Sequence, residues 1–293
     1  MADTENVPHG VDTTRPSPAR LYDYFLRGTN NFPVDREVAE KLRAAVPDVV
    51  DALWANRGFH GRAAVWMARQ GIRQFIDIGS GLPTQNNTHE SVRRVTSGAR
   101  VVYVDNDPMV AAHGNELLAG DGSTAVIMAD LREPQAVLGH PELRRLVNFG
   151  EPAGVLMTAV VHFVADESDP WGLVAQYLEA VAPGSYLALS HGTYEKISPA
   201  AVRASVDTMA QTTQSAHLRS LAEVKRFFDG LELVPPYQGA EPAVTYAGLW
   251  GAENLQDADT DGSRAFYCGV ARRPSGFGGA ATRQGPGNSG PAV

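Results

Sequence analysis

Short apolar runs alternate with longer segments of helical periodicity after Gly71, and this alternation constrains the fold more than any other feature of the sequence. The first five runs are almost continuously apolar, as strands of a parallel sheet covered on both faces are. They occupy residues 75–78, 101–104, 125–128, 154–157 and 186–189. Segments long enough for right-handed crossovers lie between them, at residues 87–94, 108–118, 134–146 and 171–181. The pattern predicts a doubly wound α/β domain.

Three helices are predicted ahead of this sheet. Ser17 and Pro18 are a typical N-cap and first-turn pair, and apolar residues follow them at helical spacing as far as Gly28. Two further helices are predicted at residues 34–46 and 48–70. Because the sheet does not require these helices, we interpret residues 17–70 as a helical lid and residues 71–273 as the α/β core of the same domain.

The two ends of the sequence lack this periodicity. Residues 1–16 are polar and contain two prolines and a glycine, which predicts a flexible N-terminus, and the glycine-rich residues 274–293 predict a disordered tail. Within the domain, two helices at about residues 198–213 and 221–228 and two strands at residues 231–234 and 265–270 follow the fifth apolar run.

Composition argues against several classes of partner. The sequence has 25 basic and 33 acidic side chains, which give a formal net charge of -8. No basic run offers the positive surface that nucleic acid requires. The single cysteine, Cys268, excludes an intrachain disulfide and a cysteine-based metal site, which suits a cytoplasmic protein. No apolar stretch is long enough to predict a membrane span. The spacing of the histidines predicts no metal site, and His60 is expected to face solvent.

A glycine turn follows the first predicted strand, with Gly79, Ser80 and Gly81 directly after Asp77 and Ile78. In an open α/β sheet this turn lies at the carboxyl edge, where ligands bind. A dinucleotide fingerprint would place a third glycine at position 84, but the residue there is threonine, and no lysine completes a P-loop. The turn therefore predicts a ligand that is not anchored by phosphate.

Carboxylates follow the next two strands. Asp105 ends the second strand, where it can accept hydrogen bonds from both hydroxyls of a ribose. Asp130 follows the third strand, where it can accept from an adenine amino group while Leu131 offers its backbone. Asp107 precedes Pro108 and is interpreted as a helix cap. Together these strand ends predict S-adenosylmethionine (SAM), which has a nucleoside and no phosphate.

These motifs, with others along the chain, resemble a bacterial family first catalogued as a domain of unknown function and later named S-adenosyl methyltransferase. The resemblance covers about residues 15–272 and rests on motifs at residues 17–24, 28, 31–32, 55–57, 77–84, 104–108, 129–132, 161–164, 183–187 and 227–231. It implies the class I methyltransferase fold, a seven-stranded sheet whose last strand is antiparallel. It also implies SAM contacts at Gly79, Gly81, Asp105, Asn106, Asp130 and Leu131.

The predicted lid supplies further candidates for the SAM site. Tyr22 and Asn31 lie in and just after the first helix, and Arg57 on the third helix is placed to pair with the carboxylate of SAM. The alternative interpretation of Tyr22 and Arg57 is surface polarity and helix packing. Ala159, which follows the fourth strand, is assigned to the cofactor site as well.

Two histidines are candidates for catalysis. Methyl transfer requires alignment of acceptor and methyl group, and a base only if the acceptor carries a proton. His162 follows the fourth strand and His191 ends the fifth, so both are expected to face the cleft, where an imidazole can take a proton near neutral pH. The alternative for His162 is a structural histidine that bonds the loop at residues 165–167.

The leading hypothesis is therefore a SAM-dependent methyltransferase of bacterial secondary metabolism, acting on a small-molecule or peptide acceptor at oxygen or nitrogen. The helix at residues 198–213 is interpreted as one wall of the acceptor pocket, and the aromatic Tyr237, Tyr246 and Trp250 are interpreted either as part of its wall or as local packing. A SAM-binding regulatory protein without methyl transfer is the alternative. A nucleotide-dependent oxidoreductase is disfavoured by the missing third glycine. No oligomeric state follows from the sequence.

Overall fold

The computed structural model describes residues 7–83, 87–117 and 120–278. Thr84, residues 1–6 of the predicted flexible N-terminus and residues 279–293 of the predicted tail lie outside the described residues. The helices are α1 (Pro18–Phe25), α2 (Pro33–Ala45), α3 (Val49–Arg69), α4 (Thr88–Arg93), α5 (Pro108–Leu117), α6 (Pro134–Gly139), α7 (Pro141–Leu146), α8 (Pro170–Ala180), α9 (Pro199–Ala210), α10 (Leu221–Lys225) and α11 (Leu255–Ala258). The strands are β1 (Gln74–Ile78), β2 (Arg100–Asp105), β3 (Thr124–Met128), β4 (Gly154–Thr158), β5 (Tyr186–Gly192), β6 (Glu232–Leu233), β7 (Thr245–Tyr246) and β8 (Phe266–Arg272).

The strands form one mixed sheet in the order β3-β2-β1-β4-β5-β8-β6. The first five strands pair in parallel, whereas β8 runs antiparallel to β5 and β6. The predicted doubly wound fold with an antiparallel last strand is confirmed. The described sheet has eight strands instead of seven, because Thr245 and Tyr246 from the long loop add the short strand β7 to β8. The strand order reverses between β1 and β4, which is where such folds bind ligands.

Most predicted helices agree with the structure within a few residues, but the segment at residues 134–146 differs. It forms two short helices, α6 and α7, instead of one. Pro141 has no backbone N–H to continue α6, and it occupies the first turn of α7. His140 caps α7, since its Nδ1 accepts a hydrogen bond of 3.2 Å from the backbone N of Glu142.

Two apolar clusters cover the two faces of the sheet. Successive residues of β1 divide between them: Ile76 packs with the cluster that contains α8, and Phe75 packs with the cluster that contains α3. Met67 and Phe59 of α3 are fully buried against the sheet. The predicted lid at residues 17–70 therefore divides in the structure, because α3 covers a face of the sheet while α1 and α2 form a separate layer.

That layer has its own small core. Leu21 and Phe25 of α1 pack against Val38 and Leu42 of α2, and Met209 of α9 packs beside them. A buried ion pair, in which Arg20 Nε donates to Asp35 Oδ2 at 2.9 Å, joins the two helices; its side chains are 3% and 0% exposed. The paired α1–α2 layer is therefore held by both apolar and charged contacts.

Residues 7–16 pack against the domain, in contrast to the predicted flexible lead-in. Val11 contacts the apolar group formed by Leu82, Met109 and Val110. Arg20 Nη2 donates to the backbone O of Asp12 at 3.1 Å. The segment lacks helical or strand periodicity, so these side-chain contacts were not visible in the sequence. Among the described helices, none is long and apolar enough to span a membrane.

Candidate functional site

A cavity of about 750 Å³ lies at the carboxyl edge of the parallel strands. The glycine turn, the ends of β2 and β4, and helices α1, α3 and α9 surround it. Most residues predicted for the site line this cavity, namely Tyr22, Arg57, Gly79, Ser80, Gly81, Asp105, Asn106, Leu131, Ala159 and His162. Its size is typical of a ligand site.

The glycine turn follows β1 in a left-handed conformation, with φ of 70° at Gly79 and 66° at Gly81. Gly79 N donates to the backbone O of Val104 at 2.7 Å, which ties the turn to the end of β2. A Cβ at Gly79 would lie 2.1 Å from a methyl of Val160, so only glycine fits where the turn meets the loop after β4. The turn thus exposes backbone to the cavity at the reversal point of the sheet.

Asp105 is held beside this turn. Its Oδ2 accepts from Gly81 N at 2.8 Å, and its Oδ1 accepts from Asp107 N at 3.0 Å. Burial raises the pKa of Asp105 to about 6, although these backbone hydrogen bonds oppose the shift. Each carboxylate oxygen keeps a second lone pair, so the side chain can still accept from ligand hydroxyls.

Asp107 caps the helix that follows, as predicted. Its Oδ1 accepts from Met109 N at 2.9 Å in the first turn of α5. Its Oδ2 accepts from Ser17 Oγ at 2.5 Å, which ties the start of α1 to the end of β2. The neighbouring Asn106 accepts from Gln214 Nε2 at 3.2 Å, so a loop after α9 meets the same edge.

A buried polar chain under the cavity was not predicted. Thr88 Oγ1 donates to Asp77 Oδ2 at 2.6 Å; His60 Nε2 lies 2.7 Å from Thr88 Oγ1 and its Nδ1 lies 2.9 Å from Thr158 Oγ1. The expectation that His60 faces solvent is wrong, since it is 2% exposed. The signal that was missed is its spacing on α3, because Asn56 and His60 lie one turn apart on the buried face.

The negative charge of Asp77 in this chain of hydrogen-bonded side chains is poorly compensated. Burial raises the pKa of Asp77 to about 6, with Thr88 and Arg57 acting in the opposite direction. Burial likewise holds the pKa of His60 well below its ordinary value, so this imidazole is neutral. Asp77 Oδ1 is buried and has no hydrogen-bond partner among the described residues. This buried acceptor directly precedes the glycine turn, although Asp77 is not among the residues that line the cavity.

A second series of hydrogen-bonded groups links α1 to the loop after β4. Asn56 Nδ2 donates to the hydroxyl of Tyr22 at 2.9 Å, and Asn56 Oδ1 accepts from Ser190 Oγ. Ser190 Oγ in turn accepts from Ala159 N at 3.0 Å. Ala159 has a φ of 52°, a conformation that costs free energy in a residue other than glycine and is maintained by its surroundings. The predicted residues Tyr22 and Ala159 are thus joined through residues of α3 and β5.

Two predicted cofactor residues are not brought to the cavity. Asp130 forms an ion pair with Arg132 at 2.5 Å, and its neighbours Ala129 and Leu131 line the cavity instead. The hydrogen bond from Arg132 is the main cause of a lowered pKa at Asp130. Asn31 Nδ2 donates to Asp23 Oδ2 at 2.8 Å and fixes the turn between α1 and α2.

The two histidines that were predicted for catalysis have different surroundings. His191 is fully buried and does not line the cavity. Its Nδ1 donates to the backbone O of Gly192 at 2.8 Å and its Nε2 accepts from Arg219 Nη1 at 2.7 Å, so both ring nitrogens are occupied. Arg219 also binds Asp166 in the loop that His162 was expected to bond. His191 therefore positions Arg219.

His162 lines the cavity. Its Nδ1 accepts a long hydrogen bond of 3.4 Å from Gly192 N, and Nε2 makes no hydrogen bond within the described residues. Burial and the nearby Arg219 and His217 lower the pKa of His162 to about 3, so the ring is neutral. A neutral ring that accepts at Nδ1 carries its proton on Nε2. Trp250, in contrast, packs on Phe59 with ring centroids 5.6 Å apart and lies outside the cavity lining.

The polar groups at the edge fit a phosphate-free nucleoside ligand better than a metal or a dinucleotide. Among residues 7–83, 87–117 and 120–278, no group of three or more histidine, cysteine or carboxylate side chains is arranged to hold a metal ion. The cavity combines a glycine turn with a carboxylate at the end of β2, and the unpartnered Asp77 Oδ1 is buried directly before this turn. With the sheet order, these features define a class I SAM-dependent methyltransferase.

The chain belongs to the S-adenosyl methyltransferase family, whose sequence model matches residues 4–274. Two solved structures are similar to it along nearly their whole length. A candidate methyltransferase from Thermobifida fusca is 36% identical, with 91% of this chain and 98% of that chain covered and a TM-score of 0.83. A DUF574 family protein from Streptomyces avermitilis is 38% identical, with 90% and 99% covered and a TM-score of 0.83.

A more distant structure shows the fold alone. An O-methyltransferase family protein from Burkholderia thailandensis is 13% identical, with a TM-score of 0.51 over 78% of this chain and 59% of that chain. No curated protein matches the sequence. The chain is a SAM-dependent methyltransferase by family, and its cofactor is SAM.

Proposed function

We propose that this protein transfers the methyl group of SAM to an oxygen or nitrogen of a small-molecule or peptide acceptor, and that both ligands occupy the cavity at the carboxyl edge. The observation that carries the proposal is the continuity of this cavity, which contains the glycine turn, Asp105 and His162. SAM supplies a methyl carbon bound to a positively charged sulfur. The protein then has to bind SAM and the acceptor, align them and exclude water.

The strand order supports the following parts of the proposed cofactor site. Asp105 would accept from the ribose hydroxyls, and the backbone at Leu131 would meet the adenine. Because Asp130 is paired with Arg132, its part in binding adenine would be to fix the backbone of this loop. Arg57, which lines the cavity, would pair with the cofactor carboxylate. The turn at Gly79, Ser80 and Gly81 would contact the cofactor through its backbone, with Asn106 beside the ribose.

The helical lid would consist of α1 and α2. Tyr22 on α1 reaches the loop at Ala159 through Asn56 and Ser190, so closure of the lid and the backbone shape after β4 are physically linked. Water exclusion strengthens the electrostatic interactions within such a site.

His162 is the proposed catalytic residue, and its role would be to donate. Its Nε2–H would donate to one lone pair of an acceptor oxygen while a second lone pair attacks the methyl carbon, in place of the general base that the sequence suggested. The carbon–sulfur bond breaks, S-adenosylhomocysteine leaves, and the proton of the acceptor passes to solvent. His191 lacks access to the cavity and would act only by positioning. The alternative of a SAM-binding protein without transfer predicts a pocket that ends at the cofactor, but the cavity continues to α2 and α9.

The proposal is tested with methyl-labelled SAM. The protein is incubated with an extract of the cells that naturally produce it, and labelled products and S-adenosylhomocysteine are measured by mass spectrometry. We expect S-adenosylhomocysteine to form only when acceptor and protein are both present, and Asp105→Ala to reduce it at limiting SAM. Tight SAM binding without any acceptor-dependent S-adenosylhomocysteine would favour the regulatory alternative.

A further inference from the structure

The end of the cavity away from the glycine turn is lined by apolar side chains that the cofactor proposal does not use. We call it the apolar chamber and define it by five residues of α1, α2, α3 and α9 and one residue that directly follows α2: Phe25, Leu42, Leu53, Ala201, Met209 and Val46. Met209 packs beside the same α1–α2 core to which Phe25 and Leu42 belong, so the four helices meet around this space.

Two residues of the chamber wall expose little surface. Phe25 is 2% exposed and Leu42 is 5% exposed, although both line the cavity. Met209 contacts the α1–α2 layer on the side on which α9 lies. A long peptide requires an open groove, whereas this space is bounded by four helices. The chamber therefore suits a small molecule.

Charge at the chamber is confined to its rim or is already paired. Of the charged residues that line the cavity near this end, Asp48, Lys196 and Asp261 are exposed, and Arg57, one turn after Leu53 on α3, is proposed to pair with the carboxylate of SAM. Arg20 is buried but is neutralised by Asp35 at 2.9 Å. A charged ligand group placed inside would lose its hydration without gaining a counter-ion. The interior therefore favours an uncharged ligand.

Two aromatic residues of the same cavity lie beside His162. The ring of His162 lies 4.4 Å from that of Phe163 and 6.2 Å from that of Phe266, measured between centroids, and all three residues line the cavity. A ligand that extends from the chamber to these rings would meet His162 Nε2–H, while the hydroxyl residues Thr193, Ser198 and Ser205 also line the cavity.

We infer that the apolar chamber is the acceptor subsite and that the acceptor is an uncharged, predominantly apolar small molecule with one polar atom at His162. This inference rests on the proposed function and narrows its acceptor to one chemical class. Apolar burial supplies the affinity, and the single hydrogen bond fixes which atom faces the cofactor site.

Two matched fluorescent probes test the inference. N-phenyl-1-naphthylamine is neutral, and 8-anilino-1-naphthalenesulfonate is the same ring system with one sulfonate added. Each is titrated into protein saturated with S-adenosylhomocysteine. We expect saturable binding of the neutral probe at one site, at least tenfold tighter than binding of the sulfonate. Equal or tighter binding of the sulfonate, or no saturable binding of the neutral probe, would overturn the inference.

Two variants of α9 locate the probe. Met209→Lys places a charge in the chamber, whereas Val206→Lys makes the same change on the same helix at a residue outside the cavity lining. We expect the neutral probe to bind at least tenfold more weakly to Met209→Lys and unchanged to Val206→Lys. Equal effects of the two substitutions would contradict the assignment. If Met209→Lys does not fold, Ser205→Phe fills the same cavity without charge, and unchanged probe binding to it contradicts the assignment equally.

SAM affinity, measured by calorimetry on the same samples, separates this inference from the proposed function. The inference predicts that Met209→Lys changes SAM affinity less than twofold. Failure of all samples to bind SAM would contradict the proposed function. Intact SAM binding together with methylation of a charged acceptor would contradict only the acceptor class.

Discussion

Asp77 and Asp105 are the two residues that show most clearly that forming the site costs free energy. Both lie at the carboxyl edge of the sheet, and burial raises the pKa of each to about 6. His60 Nε2 lies 3.6 Å from Asp77 Oδ2 but is neutral, and Arg57 lowers the pKa of Asp77 through its charge. Carboxylates held in this way are common where a protein is built to bind a ligand and not to maximise its own stability.

Asp77→Asn should stabilise the ligand-free protein at pH 8. The folded-state pKa of Asp77 is raised from 3.8 to about 6, so its favourable contribution is present below pH 3.8 and is lost as the pH rises through 6. We expect the free energy of unfolding of Asp77→Asn to exceed that of the unsubstituted protein by up to about 3 kcal/mol at pH 8 and by little at pH 4. Denaturant titrations at the two pH values measure this.

Asp121 provides a control of opposite sign. Burial raises its pKa, but hydrogen bonds from Arg93, Ser123 and Thr124 outweigh burial, so the pKa lies below its ordinary value. Its contribution is present above the unfolded-state pKa of 3.8 and is lost at lower pH. Asp121→Asn should therefore destabilise the protein at pH 8. The same sign of effect for both substitutions would contradict the charge assignment at Asp77.

His162 and His191 should separate into a catalytic and a structural residue. We expect His162→Ala to lower the rate of methyl transfer by about 10²-fold or more, the usual loss for a positioned donor, with SAM affinity unchanged. Because the pKa of His162 is lowered to about 3, the rate should not depend on His162 protonation between pH 5 and 8. Rate measurements across that range check both points.

His191→Ala should instead lower stability, because it leaves Arg219 Nη1 buried without its partner. Thermal denaturation of the two variants provides the comparison. A rate that rises through a pKa near 6.5 and is lost in His162→Ala would show a general base and would contradict the donor role.

At the scale of elements, the ion pair between Arg20 and Asp35 should determine the stability of the α1–α2 layer. Asp35→Ala removes the partner of a buried guanidinium and the acceptor for Ser17 N at 3.0 Å and Phe32 N at 2.8 Å. We expect a loss of about 3–5 kcal/mol in the free energy of unfolding. Lys41→Ala breaks an exposed pair with Glu37 on the same helix and should cost about 0–1 kcal/mol.

Chemical denaturation measures both variants, and SAM titration shows the functional consequence. If α1 and α2 cover the cofactor, Asp35→Ala should weaken SAM binding under conditions in which it remains folded. Equal stability of Asp35→Ala and Lys41→Ala would contradict the role of this pair in holding the layer.

Hydrophobic periodicity was sufficient to predict most elements, and the exceptions have local physical causes. The five parallel strands and helices α1 to α3 follow patterns that tertiary packing reinforces. Pro141 interrupts a segment whose apolar spacing is otherwise continuous. Residues 7–16 pack through single side chains such as Val11, which leave no periodic signal. The position of α3 on the sheet depends on how the chain turns after α2, which composition does not determine.

The site was predictable to the level of strand ends but not of side-chain partners. Strand-end positions follow from the fold, so Asp105 and Ala159 were placed correctly at the cavity. Asp130 occupies an equivalent position, but Arg132 two residues later binds its carboxylate. Asn31 is similarly bound by Asp23. Competition among neighbouring polar groups is decided by distances that a motif does not contain.

At the scale of the whole molecule, the cavity is assembled from segments that are far apart in the sequence. Its lining comes from the N-terminal segment, helices α1 to α3, the ends of β1 to β5, and α9. SAM that binds only to the assembled cavity should stabilise the entire fold, by about 2.7 kcal/mol at a free concentration of 100 times the Kd.

Ligand-dependent denaturation checks this linkage. We expect the midpoint of thermal unfolding to rise with SAM concentration as a single transition, since residues of both the α1–α2 layer and the sheet line the cavity. A SAM-independent first transition followed by a SAM-dependent one would show that the layer does not contribute to the site.

Calorimetric titration of SAM into the protein and into Asp105→Ala tests the central claim most directly. The account predicts one SAM site per chain, displacement by S-adenosylhomocysteine, and at least tenfold weaker SAM binding after the Asp105→Ala substitution, with NADH binding to neither protein. Equal SAM affinity of the two proteins, no SAM binding at high micromolar concentration, or tighter binding of NADH than of SAM would contradict it.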